Sequence, residues 1–399
     1  MDCIYTRLFG VIIFLLFSTQ IAFTQEEEKE KNWQLTGYVK SLQSVFILDA
    51  GKDLEDQWLT DNLIHNRLNF KWYLNEHFTF KADLRNRILY GESTKFNNTF
   101  NPDFSKTLNE SSNDVLNLSA LIVDKTPVIF HSVIDRLYLE WAKENWEIRL
   151  GRQRINWGIS TVWNPNDLFN AFSFTDFDYE ERPGSDALRV KYYTGYAGSV
   201  EVAVKAFENT DEIVAATMWK FNKWNYDFQL LGGIVQRDLA LGAGWAGNIK
   251  NVGFKGELSY FSSLEEGIDD SFAATFGLDY SFKNGMFLSS GFLYNSNGQR
   301  MGSISQIFSF ELSAKNLYPY ETALFTSIAY PINPLINSNI AVIYSPVSSH
   351  PLFINPGFTY SIKENWDLDL IGQLIFNKED QRGFFSPVQA IFMRTKFSF

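Results

Sequence analysis

The segment LIHNRLNFKWYL, residues 63–74, sets Ile64, Leu68, Phe70, Trp72 and Leu74 at even positions and His65, Arg67, Asn69, Lys71 and Tyr73 at odd ones; only Asn66 breaks the pattern. A period of two belongs to a strand with two unlike faces. After a turn at Asn75-Glu76 the pattern resumes. Phe78, Phe80, Ala82, Leu84 and Ile88 lie on one face, against His77, Thr79, Lys81, Asp83, Arg85 and Arg87 on the other. The two runs predict a hairpin of long strands. The C-terminal VQAIFMRTKFSF does the same, with Ile391, Met393, Phe397 and Phe399 opposed to Arg394, Lys396 and Ser398. Strands of ten or more residues with one apolar and one charged face fit a transmembrane barrel. Soluble sheets average about six residues per strand.

The ends of the chain support that reading. Arg7 precedes the apolar run LFGVIIFLLF (8–17), and Ala22-Phe23-Thr24 offers small residues where a signal peptidase cuts, so residues 1–24 read as a secretory signal. Cys3 is the single cysteine and would leave with it, so thiolate metal sites and disulfides are not expected. Residues 25–32 read as a short charged periplasmic tail, and 33–399 as the barrel. Cleavage removes one acid, Asp2, and one base, Arg7, which leaves the net charge of −11 unchanged. That sign disfavours nucleic acid as a partner. Aromatic residues make up 17% of the chain, yet the mean hydropathy is slightly negative, as when apolar residues alternate with polar ones.

Turn signals divide 33–399 into eighteen expected strands of an all-β, antiparallel, up-and-down barrel. Tight connections are expected at 75–76, 144, 195–197, 222–223, 249–250, 283–284, 332–335 and 364, with Lys-Glu-Asn at 143–145 and 363–365 and Lys-Asn-Gly at 283–285. The complementary connections include the long, polar 92–132, 154–185 and 296–318. Short and long sets on opposite rims are the pattern of outer-membrane barrels, with the short set periplasmic.

If Phe70, Trp72, Phe78 and Phe80 face lipid, the alternate positions face the lumen. Expected strands two to six then put Arg67, Lys71, Lys81, Arg85, Arg87, Arg136, Arg149, Arg189 and Lys191 inside, against Asp83, Glu140 and Glu147. Such an excess favours anion passage through a water-filled lumen. It serves equally to brace the barrel if the arginines pair with Asp167, Asp176, Asp178, Glu180, Glu181 and Asp186, which lie in or beside the 154–185 connection. That connection, GRQRINWGISTVWNPNDLFN and onward, reads as a structured loop. Arg152 and Arg154 stand at its root, Trp157 and Trp163 can anchor it, and Asn164, Asp167, Asp176 and Asp178 supply polar contacts within a constriction.

Gly151-Arg152-Gln153, Asn156-Trp157-Gly158, Asn164-Pro165-Asn166-Asp167 and RPGSDALR (182–189) together resemble a segment of Gram-negative outer-membrane porin-like barrels. The resemblance is to a family marked by a Gly-Arg-Gln, Trp-Gly, Asn-Pro and Pro-Gly succession. More distantly it extends to alginate-export and phosphate-selective porins, where Gly-Arg-Gln closes a strand. It covers about forty residues, 150–190. It implies a passive channel with charged lumen residues and inward-folded loops, in which Arg152, Gln153, Trp157, Asn164, Pro165, Pro183, Gly184 and Arg189 occupy the motif positions. The lysine ladder of the phosphate-selective group has no counterpart here.

The expected function is passive diffusion of small, anionic or acidic-sugar solutes. The alternatives are a gated exporter or transporter of apolar or polysaccharide solutes, with Phe169, Phe172, Phe174, Phe177 and Tyr179 lining its path, and a surface interaction barrel. An enzyme is not expected. His65, His77, His131 and His350 show no metal-ligand spacing, and although His65 and His77 are expected inside on paired strands, no serine stands beside them. No cofactor is expected. The expected partners are outer-membrane lipid, lipopolysaccharide, the barrel-insertion machinery and small solutes, and no face carries a pattern that marks a subunit interface.

Overall fold

The computed structural model describes residues 31–49, 51, 55–101, 104–109, 115–171, 176–207, 212–300, 310, 312–379 and 382–399. The expected signal, residues 1–24, lies outside them, as does most of the charged tail. The chain divides into Met1–Trp33 and Gln34–Phe399, and the second unit holds the fold.

Strands β1 (Trp33–Leu48), β2 (Gln57–Tyr73) and β3 (Phe78–Gly91) come first, followed by two short helices, α1 (Glu92–Phe100) and α2 (Phe104–Asn109). Then come β4 (Ser119–Lys125), β5 (Val128–Lys143), β6 (Trp146–Gln153), β7 (Ser185–Tyr193), β8 (Ser199–Lys205) and β9 (Val214–Lys223). The next five are β10 (Tyr226–Val235), β11 (Asp238–Ile249), β12 (Val252–Ser263), β13 (Ser271–Ser281) and β14 (Phe287–Asn295). The last are β15 (Thr322–Asn333), β16 (Ile336–Tyr344), β17 (Leu352–Lys363), β18 (Trp366–Glu379) and β19 (Gly383–Ser398).

Each strand pairs antiparallel with its neighbours, and β1 closes the ring by pairing with both β2 and β19, from Tyr38↔Ser398 to Leu48↔Val388. Closure lets the strands pair around the whole ring instead of ending at two free edges. The ring has eighteen strands, as expected from the turns. β4 is the additional one. It pairs only with the start of β5, inside the stretch expected as a plain 92–132 connection.

One rim carries only the tight connections 74–77, 144–145, 194–198, 224–225, 250–251, 282–286, 334–335 and 364–365, each at or beside an expected turn. The opposite rim carries 92–127, 154–184 and 296–321. The outer surface shows the apolar set of the alternation, with Leu139, Leu150, Leu230, Leu241, Leu324 and Ile391 all exposed. Aromatic pairs stand at the short-turn rim, Trp146 on Tyr192 at 4.7 Å and Trp366 on Phe397 at 5.0 Å between ring centres. An apolar wall edged by aromatic rings is the exterior of a membrane barrel.

Parity fails within β5. Asp83 pairs with Arg136 but Leu84 pairs with Ile134, so Asp135 is the extra residue of a β-bulge. A bulge resets the side-chain alternation. Strict alternation sends Asp135 outward, yet Asp135 and Arg136 are both buried. His77 also departs from expectation: it is exposed in the 74–77 turn instead of facing the lumen.

Candidate solute pathway

The wall opens where β6 ends. Gly151 has φ +120°, and a Cβ there would run into Leu137 O, so only glycine fits. Beyond Gln153 the chain leaves the wall and turns inward. Residues 115–118 close the gap: Ile134 N–H donates to Leu118 O, and Leu116 N–H donates to Asp186 Oδ2. Arg152 sits at this junction, its Nε 2.7 Å and Nη2 2.8 Å from the two Asp186 oxygens.

The outgoing leg of the 154–184 loop rests on the β7–β16 wall. Glu257 of β12 holds it. The Glu257 carboxylate accepts from the backbone N–H groups of Ile159, Ser160 (2.6 Å) and Asn166 (2.9 Å). Trp157 is 1% exposed and donates from Nε1 to Glu201 at 2.7 Å. Ile155, Trp157, Leu168 and Phe169 pack on Ala187, Ala203, Ala216 and Ala240, small inward residues that make room for a loop. Trp163 reaches the far wall, 5.6 Å from Tyr318 and 6.4 Å from Phe325.

Gly242 faces the loop, and a Cβ there would meet Asn166 Oδ1 at 2.5 Å. Asn166 cannot retreat, because it donates to Ala243 O and accepts from Ser259 Oγ. Gly242→Val is therefore expected to cost about 1–3 kcal/mol by overpacking. The checks are a lower thermal midpoint and new protease cleavage between 158 and 170.

The returning leg is held by charge. Asp178 accepts from His65 Nδ1 at 2.8 Å and lies 3.6 Å from Lys40 and 3.4 Å from Arg394. Glu180 lies 3.3 Å from Lys40, 3.4 Å from Arg394 and 3.6 Å from Lys396. Burial pushes the Asp178 carboxyl up, but the His65 hydrogen bond and the Lys40 charge outweigh it and hold the group below its usual range. Asp176 stays local, accepting from the N–H groups of Asp178 and Tyr179. Phe177 stacks edge-on against Phe392 at 4.8 Å, and Tyr179 donates to Asp135 at 2.9 Å.

Most inward cations expected from the sequence meet wall carboxylates rather than loop ones. Arg67 pairs with Asp83 and Asp135, Arg149 with Glu140 and Glu147, and Arg189 with Glu147 and Glu201. Lys81 lies 3.3 Å from Asp83 and Lys191 lies 3.8 Å from Glu201, while Lys71 sits over the Tyr73 ring. Four arginines differ. Among the described residues no carboxylate comes within salt-bridge distance of Arg85, Arg87, Arg136 or Arg154. Arg136 donates instead to the carbonyls of Asp135, Glu181 and Arg182.

Between the loop and the short-turn rim lies a cavity of about 490 Å³, lined by Arg67, Lys81, Arg136, Arg149 and Arg154 with Asp83 and Glu181. On the long-loop side a smaller one of about 220 Å³ is lined by Phe169, Lys205, Phe207 and Lys315 among others. Asn164 lies against Gly158, packed within the loop. Phe169 packs on the wall and borders the smaller cavity, whereas Phe177 and Tyr179 pack against Phe392 and Asp135; Phe172 and Phe174 lie outside the described residues.

Three functional contacts were beyond sequence reasoning. Glu257 and Lys40 carry the inward parity of their strands, but their loop partners have no local signature, and Asp135 is hidden by the bulge.

No family model matches the chain, and no curated protein matches it. Solved structures do. OccAB2 of Acinetobacter baumannii is similar at a TM-score of 0.54 and 9% identity, covering 92% of this chain and 98% of that one. OpdQ of Pseudomonas aeruginosa gives 0.54 at 7% identity, with 91% and 97% covered. OccK7 (OpdD) of Pseudomonas aeruginosa gives 0.53 at 7% identity, with 92% and 99% covered. The likeness is one of fold, that of Gram-negative outer-membrane porins.

Proposed function

We propose that this barrel is a porin-like channel of a Gram-negative outer membrane, through which small anionic solutes, acidic sugars among them, diffuse passively. The short turns face the periplasm, the long connections face outward, and residues 1–24 are the secretory signal. The Gly151-Arg152-Gln153 to Arg189 segment supports the porin-like family, and the apolar exterior supports insertion beside lipid and lipopolysaccharide.

One observation carries the anion preference. Arg85, Arg87, Arg136 and Arg154 bring positive charge to the lumen with no carboxylate at salt-bridge distance among the described residues, whereas Arg67, Arg149 and Arg189 are compensated. In a narrow lumen with low-dielectric walls, uncompensated charge of one sign raises the local concentration of the opposite ion. The path runs along β2–β6, where the cavity lined by Arg136 and Arg154 borders the loop. The opposite wall is occupied by the loop's apolar contacts.

The test is the reversal potential of the reconstituted protein in a planar bilayer under a steep potassium chloride gradient. Chloride selectivity is expected, and it should fall markedly when Arg136 and Arg154 are both changed to Gln. Cation selectivity, or selectivity unchanged in the variant, would overturn the assignment. The extent of loop packing favours a gated version of the same channel, in which conductance appears only when the loop yields.

A further inference from the structure

Arg85 and Arg87 stand two residues apart on β3 and so share its inward face. Across the sheet Arg87 is paired with His131 of β5, and Arg87 Nη2 lies 3.1 Å from His131 Nδ1. A guanidinium only donates, so Nδ1 must be the acceptor and the imidazole proton sits on Nε2. His131 is 2% exposed, and its Nε2 is enclosed without a partner. The Nε groups of Arg85 and Arg87 are likewise enclosed without partners. The central carbon of the Arg85 guanidinium lies over the Tyr179 ring, 3.8 Å from its centre. A ring has no acceptor in the guanidinium plane, so a contact of this kind does not use up the N–H donors needed for a forked contact.

The cluster therefore holds two guanidinium groups and one imidazole N–H, and no carboxylate among the described residues comes within salt-bridge distance of either arginine. Buried donors are rarely left unpaired in a native protein. We propose that Arg85, Arg87 and His131 form an oxyanion-binding subsite in the lumen, which takes a compact carboxylate, sulfate or phosphate group. Tyr179 is its positioning residue, holding Arg85 under its ring while its own hydroxyl is fixed by Asp135. The subsite deepens the channel assignment, on which its biological use rests, but its existence is tested by binding, without transport.

The experiment is calorimetric titration of the detergent-solubilised full-length protein with sodium sulfate, sodium phosphate and sodium acetate, at constant ionic strength in a chloride background. Saturable binding of at least one of the three in the millimolar range or tighter is expected, and the three arms separate the tetrahedral anions from the planar carboxylate. Changing Arg85 and Arg87 together to Gln should weaken it roughly tenfold or more, because charge-assisted forked contacts are the strong ones. Arg300→Gln, in the 296–321 connection where it pairs with Glu321, should leave it unchanged. His131→Phe removes the neutral Nε2 donor and the Nδ1 acceptor of Arg87, and is expected to weaken binding several-fold, which keeps the test open if the double variant does not fold. No saturable binding of any probe, or equal binding in wild type and both cluster variants, would overturn the subsite. Binding without conductance would sink the channel and leave the subsite standing; anion-selective conductance without binding would do the reverse.

Discussion

Glu257→Ala is expected to release the lumen loop and raise single-channel conductance several-fold. The carboxylate serves three backbone donors from two separate parts of one loop, with Ile159 and Ser160 on Oε1 and Asn166 on Oε2. Its removal leaves three N–H groups buried and unserved, at about 1–3 kcal/mol each. That total exceeds what holds many surface loops closed against local opening. The wall itself should survive, because Glu257 keeps its backbone register with Gly244 and Thr275.

Glu257→Gln should fall between wild type and alanine. If the amide oxygen serves Ile159 and Ser160, the amide nitrogen faces the Asn166 N–H, donor against donor. The expected order of conductance and of protease cleavage within 158–170 is therefore wild type, Gln, Ala. Equal conductance and equal protease resistance in all three proteins would mean that Glu257 does not hold the loop; equal conductance with rising cleavage would mean that the loop does not restrict the pore. A silent wild type with a conducting alanine variant would establish the gated form.

The contrast between wall and loop also explains what the sequence could convey. Strand alternation is local, so Ile64 to Leu74 and Phe78 to Ile88 announce their faces within a dozen residues, and the eight short turns follow from the same pattern. The bulge at Asp135 is not local in that sense: it depends on which residue of β3 lies opposite, and a slip of one position moves an acid from the lipid face to the lumen. That acid neutralises Arg67, so a count of nine inward bases against three acids overstated the excess. Ser119–Lys125 was missed because a short strand that pairs only with the next one looks, in sequence, like part of a polar connection.

The loop's own partners are long-range. Asp178 meets His65 across 113 positions and Arg394 across 216. The sequence shows an acidic run and a basic wall and so implies attraction between them. It does not show that the acids choose Lys40, His65 and Arg394, which leaves Arg85, Arg87, Arg136 and Arg154 without a carboxylate at salt-bridge distance among the described residues.

Raising the pH from mildly acidic to alkaline is expected to loosen the same loop through Asp167. This side chain is 2% exposed; it accepts a hydrogen bond from the backbone N–H of Trp157, and its Oδ1 is enclosed without a partner. Burial pushes its carboxyl up, Arg154 opposes the shift, and the balance stands at about 8. A carboxyl held above its ordinary value of 3.8 binds its proton more tightly in the packed loop than in the released one. The stabilisation is fully present below about pH 4, declines as pH rises, and is gone once the folded group ionises above about pH 8. At roughly 1.4 kcal/mol per unit of separation, the full difference amounts to several kcal/mol, enough to shift a loop between closed and open. Thermal midpoints and conductance measured from about pH 5 to 9 should thus move in opposite directions, the first falling and the second rising. Asp167→Asn keeps the shape and removes the titration, so its curves should be flat over this range. A variant that retains the full pH dependence would assign it to another group. A wild type without any would mean that Asp167 stays ionised, with Arg154 as its counter-charge.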